Sequence, residues 1–289
     1  FDDAMSDSLA IVDQKPDHIL SVEDLTARMA DQSSEMAPAK TTEDTVCFWL
    51  YSSGSTGNPK GVVHPHRSMV YTSQCSGVDT IGIREDDVCF SVSKLFHSYG
   101  FGNALSFPLW VGATTALSDQ KVSPAMSFEM IERFRPTLFF GVPTLYAQQL
   151  HAMETSDPDT SSIRHCVSAG EALPADVFRR WKEKTGTVIL DCLGSTEALH
   201  FFIGNTTTDF SPGTSGRRIN RYELRIVDEA GNEVEQGDIG TLHVRGGSTA
   251  IEYWKYPEKT AMTMLADGWL NTGDMYYQDE DGYYVNCGR

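Results

Sequence analysis

Short apolar runs punctuate this chain at strand length: 46–50, 87–92, 136–141, 165–168 and 188–192. Between the later runs lie helix-length stretches at 126–134, 144–153 and 175–184, and strand-like segments alternating with helical ones predict parallel α/β layering. After about residue 206 the pattern changes to short strands at 222–227, 240–245 and 282–285, with a turn at 228–232, which predicts a β-rich part. The first 43 residues are polar and acidic, with one helical pattern at 22–29 behind Ser21 as N-cap, then Pro38 and a Thr-Thr-Glu-Asp run. They read as a partial element plus a linker. No internal repeat suggests a solenoid.

The run at 46–50 leads into Tyr51-Ser-Ser-Gly-Ser-Thr-Gly-Asn-Pro-Lys-Gly61, which reads as a phosphate-holding loop. Gly54 and Gly57 let backbone amides converge on an anion, Ser52, Ser53, Ser55 and Thr56 add hydroxyl donors, and Lys60 brings a positive charge. Charge-assisted bonds of this kind contribute about 1.5–3 kcal/mol each. The nucleoside-triphosphatase P-loop does not fit: Pro59 precedes the lysine, and Gly61 stands where a magnesium-binding hydroxyl is needed. The alternative is a serine- and glycine-rich linker, against which stand the strand-like run before it and the Pro-Lys-Gly ending.

With 289 residues the chain can bury a large core, and 40% hydrophobic with 22% charged residues is ordinary for a globular protein. A net charge of −17 without a basic stripe argues against a nucleic-acid partner. It also requires that the few cations, and Mg²⁺, gather locally around any polyanionic ligand. Cys47, Cys75, Cys89, Cys166, Cys192 and Cys287 are scattered without Cys-x-x-Cys spacing, which favours a reduced, cytoplasmic protein over a zinc site. No apolar run is long enough to span a membrane, and Asn205-Thr-Thr207 is a chance match to a glycosylation acceptor. His64-Pro-His66 has metal-like spacing but no third ligand nearby, so a turn is the simpler reading. Trp49, Trp110, Trp181 and Trp254 read as packing residues.

Further motifs follow the loop: Ser168-Ala-Gly-Glu-Ala-Leu-Pro174, Leu193-Gly-Ser-Thr-Glu197, Gly240-Thr-Leu-His-Val-Arg-Gly246, Trp269-Leu-Asn-Thr-Gly-Asp274 and Gly288-Arg289. In this order they resemble the adenylate-forming superfamily of acyl-CoA synthetases, luciferases and peptide-synthetase adenylation domains, over nearly all of the chain after Glu43. Ser91-Val-Ser-Lys-Leu-Phe-His-Ser-Tyr-Gly-Phe-Gly-Asn103, Gly194-Ser-Thr-Glu-Ala-Leu-His200 and Gly282-Tyr-Tyr-Val-Asn-Cys-Gly-Arg289 are most similar to the benzoate-CoA ligase branch.

The resemblance implies an α/β fold of layered parallel-sheet subdomains (1–75 and 76–204) followed by a small β-rich, distorted-barrel subdomain (205–289), with a C-terminal lid domain and the first part of the large domain absent. It implies ATP-dependent activation of an aromatic, benzoate-like acid to an acyl-adenylate, then to its coenzyme A thioester. Ser52 to Gly57 and Lys60 would hold the β- and γ-phosphates, Thr196 the α-phosphate, and Glu197 Mg²⁺. Gly170, Glu171 and Ala172, with Asp191, Cys192 and Leu193, would sandwich adenine, and Asp274 and Arg289 would hold the ribose. His97, Tyr99, Gly100, Gly194 and His200 would line the acid pocket, with His97 also at the mouth of the coenzyme A tunnel. Many benzoate-type relatives have phenylalanine where this chain has His97, which leaves the preferred ring substituents open. For Thr196 and Glu197 the alternative is a helix N-cap without a ligand, for Asp274 a surface Asx turn, and for His200 a satisfied core histidine. Two rival functions stand beside the ligase: an adenylation domain that loads a carrier protein, and a nucleotide-binding fragment without turnover. The partners implied are small molecules, with a homo-oligomer open.

Overall fold

The computed structural model describes residues 19–52 and 58–288. The chain divides into two compact units, 1–41 and 42–289. In the described part of the first, α1 (Val22–Ala30) starts at Ser21 through a capping box: the Asp24 amide donates to Ser21 Oγ at 3.0 Å and the Ser21 amide to Asp24 Oδ2 at 3.3 Å.

The second unit opens with an antiparallel hairpin, β1 (Val46–Ser52) and β2 (Lys60–Pro65), in register from Phe48↔His64 to Ser52↔Lys60, with a register shift between Val46 and Phe48. α2 (His66–Thr72) widens into a π-helical stretch, Ser73–Ile81, that stops at Gly82 in the left-handed region. Then follow β3 (Val88–Ser91), α3 (Ser98–Phe101), α4 (Phe107–Val111), β4 (Thr114–Ala116), α5 (Pro124–Phe134), β5 (Leu138–Gly141), α6 (Pro143–Ala152), β6 (His165–Ser168), α7 (Ala175–Thr185), β7 (Ile189–Gly194), β8 (Phe201–Gly204) and β9 (Arg217–Arg218). Strands β3 to β9 form one seven-stranded sheet ordered β4-β3-β5-β6-β7-β8-β9, parallel from β4 to β7 and antiparallel through β8 and β9.

Strands covered on both faces read as continuous apolar runs, and β5 is the clearest case. Leu138 and Phe140 pack on one face with Cys89, Val167 and Cys192, while Phe139 between them packs on the other with Phe90, Cys166 and Ile189. The second face is sealed by α5, α6 and α7, through Ile131, Tyr146 and the fully buried Trp181. The expected helices at 126–134 and 144–153 begin earlier, at Pro124 and Pro143, because proline suits the first helical turn.

The remaining elements are β10 (Glu223–Val227), β11 (Gly240–Arg245), β12 (Glu252–Tyr253), α8 (Pro257–Thr263), β13 (Trp269–Gln278) and β14 (Tyr284–Gly288). Four of them make a separate antiparallel sheet, β10-β11-β13-β14, whose Leu242, Val244, Leu270 and Tyr276 join the first face of the large sheet in one core. The strand-forming residues after 205 are thus shared among three sheets. β9 extends the large sheet, and β12 adds to the hairpin to give the order β1-β2-β12.

The parallel sheet is polarised. The residues just before β3, β5 and β6 are tied together: Arg164 donates to both oxygens of the buried Asp87, at 2.8 and 2.6 Å, and Thr137 Oγ1 donates to Asp87 at 2.6 Å. The opposite, carboxyl ends of the same strands lead into the segments singled out from sequence, where open α/β sheets place their ligands. Among the described residues no helix is long and apolar enough to cross a membrane.

Candidate active site

Two short pairings bring distant motifs to one spot. Ser52 ends β1 and Lys60 begins β2 directly opposite it, and β12 pairs with β2 on the other side through Tyr253↔Val62. The Lys60 ammonium lies 4.4 Å from the centre of the Tyr253 ring. The Tyr253 hydroxyl donates to Glu197 Oε1 at 2.7 Å, and Ser52 Oγ donates to the same oxygen at 3.3 Å. Lys60, Ser52 and Glu197 therefore converge, although Ser52 and Glu197 are 145 positions apart in sequence. Ser53, Gly54, Ser55, Thr56 and Gly57 lie outside the described residues, as does Arg289.

Thr196 and Glu197 sit on a turn between β7 and β8. They do not begin a helix: the Leu199 amide closes the turn on the Thr196 carbonyl at 3.0 Å, and Leu199 takes a φ of 66°, which halts any helical continuation. Three consecutive carbonyls of this turn are held from three directions. His64 Nε2 donates to Thr196 O at 2.8 Å, the Ala250 amide to Glu197 O at 2.8 Å, and Ser248 Oγ to Ala198 O at 2.8 Å.

His64 is fully buried, and burial pushes its pKa down to about 4, against the opposing pull of the Thr196 carbonyl and the Glu197 charge. A neutral imidazole has one N–H, and a carbonyl only accepts, so the proton resides on Nε2 while Nδ1 faces Ser68 Oγ at 3.3 Å. Both ring nitrogens are thereby engaged in positioning the turn. Among the described residues no three His, Cys, Asp or Glu side chains gather as a metal cage.

A second group lies at the carboxyl ends of β6 and β7, where Ser168 pairs with Asp191. Gly170, with φ at 93°, turns the chain so that Gly170, Glu171 and Ala172 are exposed beside β7. Asp191 is buried, and burial raises its pKa to about 8 while the Leu173 and Cys192 amides draw it down. Its Oδ2 accepts from the Leu173 amide at 3.4 Å, and its Oδ1 has no hydrogen-bond partner. Cys192 is only 4% exposed and belongs to the hydrophobic core. Leu193 and Gly194 are half-buried.

Asp274 lies within β13 after a turn in which Gly273, at φ 72°, donates its amide to Asn271 Oδ1 at 2.9 Å. The Asx turn at this place is thus made by Asn271, and Asp274 projects from the residue after it, with its own amide donating to Thr272 Oγ1 at 3.1 Å. The charges of Asp274 and Asp191 both bear on the buried Tyr276 phenol, whose pKa is raised chiefly by burial.

Aromatic residues flank these groups. The Tyr99 hydroxyl donates to the Val167 carbonyl at 3.0 Å, with its ring edge-on to Phe140. His200 is buried between Tyr99 and Phe107, at 5.7 and 4.6 Å between ring centres. Its Nε2 meets the Tyr99 carbonyl at 3.3 Å, its Nδ1 has no partner, and burial lowers its pKa to about 3. Gly102 is required here because a β-carbon would collide with the His200 ring, and Gly194 because one would strike the His200 backbone. Gly100 likewise leaves room for the carbonyls of Ser93 and Lys94. His97 stands apart: it is exposed, and its ring packs on Phe96 at 4.4 Å.

The sequence did not single out Tyr253 or Ser248, and it read His64 as part of a turn. Tyr253 lies in a strand of only two paired residues, Glu252 and Tyr253, so nothing periodic marks it.

The profile of a family described as AMP-binding enzyme matches residues 3–254. Benzoate–CoA ligase of Thauera aromatica is 47% identical over 266 residues, covering 92% of this chain and 50% of that protein. A 4-hydroxybenzoate–CoA/benzoate–CoA ligase of Rhodopseudomonas palustris is 43% identical over 263 residues, with 90% and 48% covered. The crystal structure of the anthranilate CoA ligase AuaEII in complex with anthranoyl-AMP superposes with a TM-score of 0.89 at 39% identity, covering 96% of this chain and 53% of that one. The chain spans about half the length of the curated relatives it matches. By this match across most of its length, the chain belongs to the AMP-binding enzyme family.

Proposed function

We propose that the protein activates an aromatic carboxylic acid with ATP, giving an acyl-adenylate and pyrophosphate, and then transfers the acyl group to coenzyme A. The observation that carries this reading is the convergence of Lys60 and Ser52, from the two ends of one motif, with Glu197, from another, at one end of the β1-β2-β12 sheet. The relatives named above, which act on benzoate or hydroxybenzoates, support the choice of acid.

In this reading Lys60 and Ser52 to Gly57 hold the terminal phosphates, and Thr196 reaches the α-phosphate. Such sites work by positioning the reactants and by stabilising the charge that develops on the phosphorus oxygens. The donor set fits Mg²⁺: a single carboxylate, Glu197, with hydroxyls around it, suits a hard cation that takes most of its remaining ligands from water and phosphate. Mg²⁺ bound there would neutralise phosphate charge. The unpartnered Asp191 Oδ1 fits the amino group of adenine, and Gly170, Glu171, Ala172, Cys192 and Leu193 offer backbone to the ring. Asp274, with Arg289, would accept the ribose hydroxyls. Tyr99, His200, Gly100 and Gly194 would bound the acid's ring, and His97 would stand nearer the entry of coenzyme A. The same proposal puts the protein in the cytoplasm, where ATP, Mg²⁺ and coenzyme A occur together.

The test is ATP–pyrophosphate exchange by the full-length protein across aryl, short aliphatic and amino acids, followed by thioester assay with coenzyme A. Exchange with benzoates, and thioester formation on adding coenzyme A, is expected. Exchange confined to aliphatic or amino acids would overturn the choice of acid, and exchange without any thioester would overturn the choice of acceptor.

A further inference from the structure

We propose that Tyr253 is a positioning residue that keeps the cation and the carboxylate of the phosphate site apart and correctly turned. The inference rests on the reading of Lys60 and Glu197 given above. Tyr253 is buried, with 3% of its surface exposed, and comes from β12, an element that neither the phosphate loop nor the Thr196-Glu197 turn contains. It touches both charged groups at once: its ring face carries the Lys60 ammonium at 4.4 Å, and its hydroxyl donates to Glu197 at 2.7 Å.

Two consequences follow from this bridging. The first concerns the carboxylate. Ser52 and Tyr253 both donate to Oε1, so among the described residues Oε2 accepts no hydrogen bond from the protein. The two hydroxyls fix the rotation of the carboxylate and leave one of its oxygens for a divalent cation, as hydrogen-bonded outer groups do for metal-ligating side chains elsewhere. The second concerns the lysine. An ammonium and a carboxylate in the same partly desolvated spot attract strongly, yet no ion pair joins Lys60 to Glu197 among the described residues. The phenol ring face offers the ammonium a cation–π contact in place of such a pair. A direct pair would cancel both charges before ATP and its metal arrived.

The two roles are separable by substitution. Tyr253→Phe removes the hydroxyl and keeps the ring; Tyr253→Leu removes both. Mn²⁺ is the probe, followed by electron paramagnetic resonance with the full-length protein and the α,β-methylene analogue of ATP, which cannot transfer its adenylyl group. Loss of a hydrogen bond to a charged group predicts that Tyr253→Phe raises the Mn²⁺ concentration for half-occupancy about tenfold. Binding of the analogue without metal, measured by calorimetry, is expected to change less than about threefold in Tyr253→Phe. It is expected to weaken by about tenfold in Tyr253→Leu, where Lys60 is free to pair with Glu197. Equal thermal midpoints for the Phe variant and the unmutated protein exclude a merely structural effect. An unchanged Mn²⁺ requirement in Tyr253→Phe, or identical behaviour of the two variants, overturns this inference alone. Absence of saturable Mn²⁺ and analogue binding by the unmutated protein overturns it together with the functional reading beneath it.

Discussion

Asp87→Asn separates the stability of the sheet from the chemistry at its other end. The Asp87 carboxylate accepts four bonds: from Arg164 Nε at 2.8 Å, Arg164 Nη2 at 2.6 Å, Thr137 Oγ1 at 2.6 Å and the Arg84 amide at 2.9 Å. Asparagine keeps one acceptor oxygen and turns an NH₂ group toward the guanidinium. Breaking a buried ion pair from one side costs about 3–5 kcal/mol. The Arg164 side chain is 23% exposed and also donates to the Gly82 carbonyl at 2.7 Å, so it regains some solvation, and the loss belongs at the lower end, about 3 kcal/mol. Guanidinium chloride unfolding at pH 7 measures it. Burial pushes the Asp87 pKa up, but the bonds from Arg164 and Thr137 outweigh it and hold the carboxyl below its usual value. Its contribution is therefore complete above the unfolded carboxylate value of about 3.9 and lost as the pH falls below that toward the folded value. The gap between variant and unmutated protein should close over that acid range. ATP–pyrophosphate exchange at 25 °C should stay within about twofold, because Asp87, Thr137 and Arg164 lie at the amino ends of the strands. A loss under about 1 kcal/mol, or exchange abolished in a folded variant, would refute the reasoning.

His64 and His200 act on stability in a different pH window. Both folded pKa values are depressed, to about 4 and about 3, so the unfolded chain binds protons first and stability declines as the pH falls below about 6.5. Urea midpoints that fall between pH 7 and pH 5, with a smaller fall in His64→Gln, are expected; a flat profile there would contradict neutral burial of both rings. Gly102→Ala pushes a methyl group into the His200 ring and should raise the KM for benzoate in exchange assays by about tenfold or more while leaving the KM for ATP nearly unchanged, and equal effects on both would show that the His200 nest is not the acid pocket.

Much of the fold is legible in the chain because β3, β5, β6 and β7 are bounded apolar runs and α5, α6 and α7 carry long one-sided stripes ending in turn signals such as Gly186. What stayed hidden depends on tertiary pairing. Glu252–Tyr253 is too short to show a period, and only its register with Val62 and Val63 makes it a strand. The π-helical stretch Ser73–Ile81 has no helical stripe in SQCSGVDTI; it is wound against Phe107, whose ring abuts Gly77. The left-handed Leu199, which converts an apparent helix start at Ser195-Thr-Glu into a turn, leaves no mark in the sequence because leucine rarely adopts that conformation. For the site, motif order pointed to Lys60, Thr196, Glu197, Asp191 and Asp274 as separate segments. The residues that hold them in place, His64, Ser248 and Tyr253, carry common side chains at unremarkable spacings, and only the folded contacts distinguish them.

Benzoate-dependent ATP–pyrophosphate exchange by the full-length protein, before and after Glu197→Gln, tests the central claim most directly. The account predicts robust exchange that falls by about a hundredfold or more in the variant, since one preorganised charged group at the reacting phosphate is removed. Exchange that survives Glu197→Gln unchanged, or no exchange with any aryl acid in the unmutated protein, would contradict it.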